Sequence, residues 1–131
     1  MNETITIDRP MQYIAFMRLK IGKGEEAIYM FCAVDAYTRY AIQLGIDRDD
    51  SPENVLKNVY MLTEHEMFIK WRDEDGFTLV LEEFQELEDR IQAIIVAING
   101  KILFDKRLNN TITLEFMESL VENLGNQFSP E

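Results

Sequence analysis

The chain has 131 residues, 47% of them hydrophobic, with 13 Lys and Arg against 24 Asp and Glu for a net charge of −11. That composition fits one globular domain, residues 1–131 with an ordered core over about 11–124, and excludes a disordered chain. The acidity disfavours nucleic acid and anionic membrane surfaces as partners, because both are held through Lys and Arg.

The N-terminus, Met-Asn-Glu-Thr-Ile-Thr-Ile-Asp, lacks the basic start and apolar stretch of a signal peptide. No segment reaches the roughly 18 apolar residues that span a bilayer, so a cytoplasmic location is expected. Residues 1–10 read as a lead-in that ends at Pro10. Met11 to Ile21 reads as a first strand, with Met11, Tyr13, Ala15, Met17, Leu19 and Ile21 on one face. Gly22-Lys23-Gly24 is a hairpin turn and lacks the longer glycine pattern of a phosphate loop. Ala27 to Val34 is a continuous apolar run, expected as a central strand covered on both faces. It holds the one cysteine, Cys32, which excludes an internal disulfide and reads as a small apolar core residue in a reducing compartment. A third strand is expected from Thr38 to Ile46, with Tyr40, Ile42, Leu44 and Ile46 on one face and Arg39 and Gln43 on the other. Arg39 is expected to pair with Asp35 across the intervening turn, the alternative being a place in a partner surface.

The period then changes. Ser51-Pro52-Glu53 is a helix start, followed by Val55, Leu56, Val59, Tyr60 and Leu62 at helical spacing, and the helix fades near His65. Met67 to Trp71 reads equally as a short strand or as more helix. Phe68 and Trp71 are either an exposed aromatic patch or packing under the helix. Arg72-Asp73-Glu74-Asp75-Gly76 is a polar turn and Phe77 to Leu81 a fourth strand. A second helix is expected from Gln85 to Ile98, with Leu87, Ile91, Ile94, Ile95 and Ile98 inward, and Asn99-Gly100 ends it. Lys101 to Asp105 is a fifth strand. After Asn109-Asn110, Thr113 caps a last helix with Leu114, Met117, Leu120, Val121 and Leu124 on its face and Gly125 at its end. The order β-β-β-α-β-α-β-α requires crossover connections after the third strand. It predicts an α/β fold: one five-stranded mixed sheet, three strands antiparallel and the last two parallel to the first, flanked by helices.

That order, with the run Val34-Asp35-Ala36-Tyr37-Thr38-Arg39-Tyr40, resembles the ribonuclease H-like fold and, within it, the catalytic cores of retroviral-type integrases and transposases. The resemblance implies acidic residues converging on divalent metal ions, placed on the first strand, at the end of the fourth and on a later helix. The first strand departs from this pattern: Ile14, Ala15, Phe16 and Met17 stand where the leading aspartate is expected. At the fourth strand the family shows Asp, a variable residue and Gly, whereas this chain has Glu82-Glu83-Phe84. The resemblance therefore implies a core that has lost its catalytic set, with no catalytic, cofactor-binding or metal-binding residue and no cofactor.

Other sites fall away on composition. His65 and Cys32 are the only His and Cys, too few for a protein-only zinc site, and His65 between Glu64 and Glu66 reads as solvated surface. Asp47-Arg48-Asp49-Asp50 and Asp73-Glu74-Asp75-Gly76 miss the spacing of a calcium loop. Three functions remain. The expected one is a protein-binding or self-associating module, with a homodimer as one form. The alternatives are a metal-dependent nuclease using Asp35, Glu82 or Glu83, and Asp105, and a small-ligand domain using the crevice near Glu82 and Asp105.

Overall fold

The computed structural model describes residues 6–72 and 76–128, with side chains described through Glu118. Asp73, Glu74 and Asp75, expected in a polar turn, lie outside the described residues, as do residues 1–5 and 129–131. The strands are β1 (Tyr13–Ile21), β2 (Ile28–Asp35), β3 (Ala41–Asp47), β4 (Phe77–Leu81) and β5 (Gly100–Phe104). The α-helices are α1 (Pro52–Glu64), α2 (Glu66–Trp71), α3 (Glu88–Val96) and α4 (Lys106–Phe128). The strands form one mixed sheet in the order β3-β2-β1-β4-β5. β1, β2 and β3 pair antiparallel, and β1, β4 and β5 run parallel. This is the expected class, order and strand sense. Among the described residues no helix is long and apolar enough to cross a membrane.

Two core layers follow from the pleat. Ile14, Phe16, Phe31, Ala33, Leu79 and Leu81 pack under α1, α2 and α3. Ala15, Cys32 and Val34 point the other way, against Leu108 and Ile112 of α4. β1 is the central strand, and Ile14, Ala15 and Phe16 are all buried although only alternate residues were expected inward. β2, expected to be covered on both faces throughout, is buried only from Phe31 to Asp35, and Ile28 to Met30 are half-buried. The first strand begins at Tyr13 rather than Met11, which has left-handed backbone (φ 62°) and ends the lead-in.

β3 differs most from expectation. Its register shifts where Ala33 pairs with Gln43 and Val34 pairs with Ala41, leaving Ile42 as an extra residue. The bulge turns Ile42 into the core beside Gln43. Leu44 and Ile46 point to the opposite face, where they are 56% and 65% exposed. Tyr40, grouped with them by alternation, lies in the preceding turn, outside the strand.

α1 starts at Ser51, whose hydroxyl accepts from Asn54 N, with Pro52 at the first position. Its buried face is Val55, Asn58, Val59 and Leu62. Tyr60, expected inward, is 52% exposed. His65 takes extended backbone (ψ 132°) and breaks the helix, and its Nδ1 accepts from Met67 N to cap α2. The ambiguous Met67–Trp71 stretch is thus helix, and His65, partly exposed, is its cap. Phe68 is fully buried edge-on to Phe77 (4.9 Å), while Trp71 is 55% exposed, so the aromatic pair divides between the two readings.

The second expected helix opens with a 3-10 turn over Gln85–Leu87 and ends at Val96. Asn99 rather than Gly100 holds the left-handed conformation (φ 65°). Gly100 instead permits close packing, since a Cβ there would lie 2.5 Å from the Phe77 ring and 2.7 Å from Ile95. The last helix begins seven residues earlier than the expected Thr113, because Asp105 Oδ1 accepts from Leu108 N (2.9 Å) and caps it. Asn109 and Asn110 are helical, the Thr113 hydroxyl donates to Asn109 O within the helix (2.9 Å), and the backbone stays helical past Gly125 to Phe128. The inward residues are Asn109, Ile112 and Thr113. Leu114, expected on the apolar face, is 59% exposed. The side chains of Leu120, Val121 and Leu124 lie outside the described residues.

Candidate functional site

In a parallel sheet the crevice beyond the carboxyl ends of the strands is where ligands and metals gather. Here that crevice lies where β1 outruns β4. Past the Ala15–Val80 pairing, β1 continues to Ile21 while β4 stops at Leu81. The next inward residue of β1 after Phe16 is Arg18, and its guanidinium occupies the crevice. Nη2 donates to Glu83 Oε2 at 2.8 Å, and Nη1 pairs with Asp50 ahead of α1. The Arg18 guanidinium carbon also stands 5.4 Å from the centre of the Phe84 ring, whose other neighbour is Phe16 at 6.0 Å. Burial pushes the Glu83 carboxyl above its usual range, and the Arg18 charge partly offsets this.

The Glu82-Glu83-Phe84 segment follows β4 directly. Phe84 holds left-handed backbone (φ 78°), the conformation that glycine adopts freely and a bulky residue rarely does. It stands at the third position, where the integrase-like pattern has glycine. The chain accepts this because the ring is buried between Phe16 and Arg18. Helix α4 turns Asn109 toward the same end of the sheet. Its Nδ2 donates to Phe16 O (3.1 Å) and Val80 O (2.9 Å), tying β1 to β4, and its Oδ1 is buried without a partner.

The remaining acids named in the sequence are each engaged elsewhere. Asp35 is buried at the other end of the sheet. Its Oδ1 accepts from Met11 N (2.9 Å), and its Oδ2 accepts from Thr38 Oγ1 (2.8 Å) and Thr38 N (3.2 Å). Arg39, expected to pair with that carboxylate, instead donates its backbone N–H to Asp35 O (2.8 Å) and sends its guanidinium to Glu115 on α4. The acceptor capacity of Asp35 is already taken by the turn it closes. Asp105 caps α4. Asp47 pairs with Lys57 (2.6 Å) and Asn58 (2.9 Å), and Asp49 accepts from Ser51 N and Asn54. Glu82, Glu83 and Asp105 thus lie at one end of the sheet, and Asp35 does not join them. Among the described residues no group of three or more His, Cys, Asp or Glu is placed to hold a metal ion. Cys32 is fully buried, and that burial pushes its thiol up to about 11, which leaves it protonated and unreactive.

Sequence reasoning missed Arg18, Asn109 and the conformation of Phe84. Arg18 carried one usable signal, as a cation directly after the apolar Ile14 and Phe16 on the same face of the strand. Asn109 carried none, because the Asn-Asn pair reads locally as a loop.

Neither a protein-family model nor a curated protein matches the sequence. Among solved structures, a chain of the cryo-EM structure of the simian T-cell lymphotropic virus intasome in complex with PP2A regulatory subunit B56 gamma superposes with a TM-score of 0.64 at 6% identity. The match covers 96% of this chain and 46% of that one, so this chain spans under half of that chain's length. At such identity the likeness is one of fold.

Proposed function

We propose that this is a ribonuclease H-like, integrase-core-like domain without catalytic activity, serving as a protein-interaction module. The observation that carries the reading is Arg18. Two-metal phosphoryl chemistry needs several carboxylates around roughly +4 of cationic charge, about 3.5–4 Å apart. Here a guanidinium already pairs with both Glu83 and Asp50 at that end of the sheet. A divalent ion would have to displace Arg18 or sit beside its positive charge. The acid-free first strand and Phe84, where the resemblance has glycine, point the same way. The likeness to an intasome chain supports the fold part of this reading, and function rests on the site rather than the fold.

Two assays on the full chain decide between this reading and the metal-dependent nuclease. Calorimetric titration with magnesium and manganese is expected to show no saturable binding, and supercoiled DNA incubated with either metal is expected to stay intact. Metal-dependent nicking that disappears in Glu82→Ala or Glu83→Ala would overturn the proposal.

A further inference from the structure

The antiparallel register gives the two sides of the β1–β2–β3 extension opposite character. Arg18, Lys20, Tyr29 and Asp47 project to the α1 side. On the other side stand Leu19, Ile21, Ile28, Met30, Leu44 and Ile46, with no charged residue among them. Each is half-buried or exposed. This is the side on which α4 lies; Met30 packs partly against the cluster under it, while Ile21, Leu44 and Ile46 stay exposed. The α1 side of the sheet carries α1, α2 and α3, whereas among the described residues the opposite side carries α4 and, from the lead-in, Ile7. An apolar half-face is thus left without the helix that would ordinarily cover it.

The path of α4 says what fits there. After β5 it touches β4 and β1 at Asn109, packs on Ala15, Cys32 and Val34 through Ile112, and meets Arg39, just ahead of β3, at Glu115. It therefore crosses the strands from one edge of the sheet to the other and reaches the β3 edge at the Ala41 end. It stays helical for 13 residues more, to Phe128, about 20 Å at the α-helical rise. The sequence of those turns supplies Leu120, Val121, Leu124 and Phe128. β3 itself is an edge strand with no Pro, Lys or Arg between Ala41 and Asp47, the residues that usually guard an edge.

We propose that two copies of the chain pair antiparallel along their β3 edges, with the last turns of each α4 lying on the open sheet face of the other copy. This rests on the interaction-module reading and names its partner. Antiparallel pairing sets the Ala41 end of one β3 beside the Ile46 end of the other. A helix leaving over Ala41 thus arrives over the neighbour's Leu44 and Ile46. Area favours this occupant over a flat partner. The open face measures only about 230 Å² in plan, three strands by five residues, well short of the roughly 800 Å² a side that a stable dimer buries. The reciprocal arrangement adds a strand edge and the end of a helix from each copy, and two-fold symmetry makes every contact twice.

Light scattering on the full chain at micromolar concentration tests the proposal. The expected mass is twice 15.4 kDa. Leu44→Lys and Ile46→Lys replace exposed side chains and should keep the circular dichroism of the parent while weakening the dimer at least tenfold. Leu44→Cys, at the middle of β3, should form an interchain disulfide under mild oxidation, and the buried Cys32 should not. A monomer at 100 μM, on the order of a weak cellular affinity, overturns the proposal. So does a dimer that both lysine variants leave intact and that Leu44→Cys does not cross-link. Either result leaves the non-catalytic reading to the metal and nicking assays, whereas metal-dependent nicking would end that reading whatever the mass.

Discussion

The two halves of β1 present the same alternation of side chains and meet opposite fates. From Ile14 to Phe16 the strand lies between β2 and β4 with helices on both faces, and all three residues are buried. From Met17 to Ile21 it has outrun β4, only β2 pairs with it, and its side chains are half-buried or exposed. The difference is made by neighbours, not by the strand. The first half is structural core. The second half holds both features on which the proposals rest: Arg18 on one face and the uncovered apolar residues on the other.

Substitutions at the two halves should separate accordingly. Phe16→Ala removes a ring packed against Phe31 and Phe84, and urea denaturation should show a loss of about 3–5 kcal/mol. An equally small loss there and at Leu19 would erase the distinction. Asp35→Ala leaves the buried Met11 N–H and the Thr38 donors without their acceptor. It is expected to cost about 3 kcal/mol, and Asp35→Asn should recover part of that. Gly45→Ala, where the antiparallel half meets α1, places a Cβ 1.8 Å from Asn58 Oδ1, so Asn58 must move and give up Asp47. The expected loss is about 1–3 kcal/mol by denaturation. Leu19→Ala in the open half should change monomer stability by less than about 1 kcal/mol.

The smallest effect is a pH dependence. The Lys57 ammonium, helped by Asn58, holds the Asp47 carboxyl below its usual range. The folded state therefore binds that proton less readily than the unfolded chain. Its contribution is complete above the ordinary carboxylate value and is lost as pH falls through the lowered one. Lys57 is half exposed, so Lys57→Ala should flatten the acid limb of a stability–pH curve by no more than about 0.5 kcal/mol. A larger change would mean that the pair is better shielded than its exposure indicates.

The sequence made the element order, the strand senses and the Phe77–Leu81 strand legible, because turn residues and a change of period are local signals. It misplaced the start of α4 because Asp105, read as a strand end and candidate site acid, turned out to be the cap, while Thr113 offered a better-looking one. It misassigned the faces of β3 because a bulge is a property of the pairing with β2 and leaves no mark in the strand's own alternation. At the site, the missing acid on β1 was legible as an absence. The polar groups near that end of the sheet were not, since Arg18, Glu83, Asp50 and Asn109 come from segments far apart in the chain.

The measurement closest to the central claim is paramagnetic broadening of the amide spectrum of the full chain on adding manganese. With Arg18 closing the carboxyl end of the sheet, the amides of Asp50, Glu82, Glu83 and Asp105 should broaden no more than those of exposed acids such as Glu25 and Glu53. Selective, saturable broadening of the first group at micromolar manganese, reversed by chelation, would contradict the account and return the site to metal chemistry.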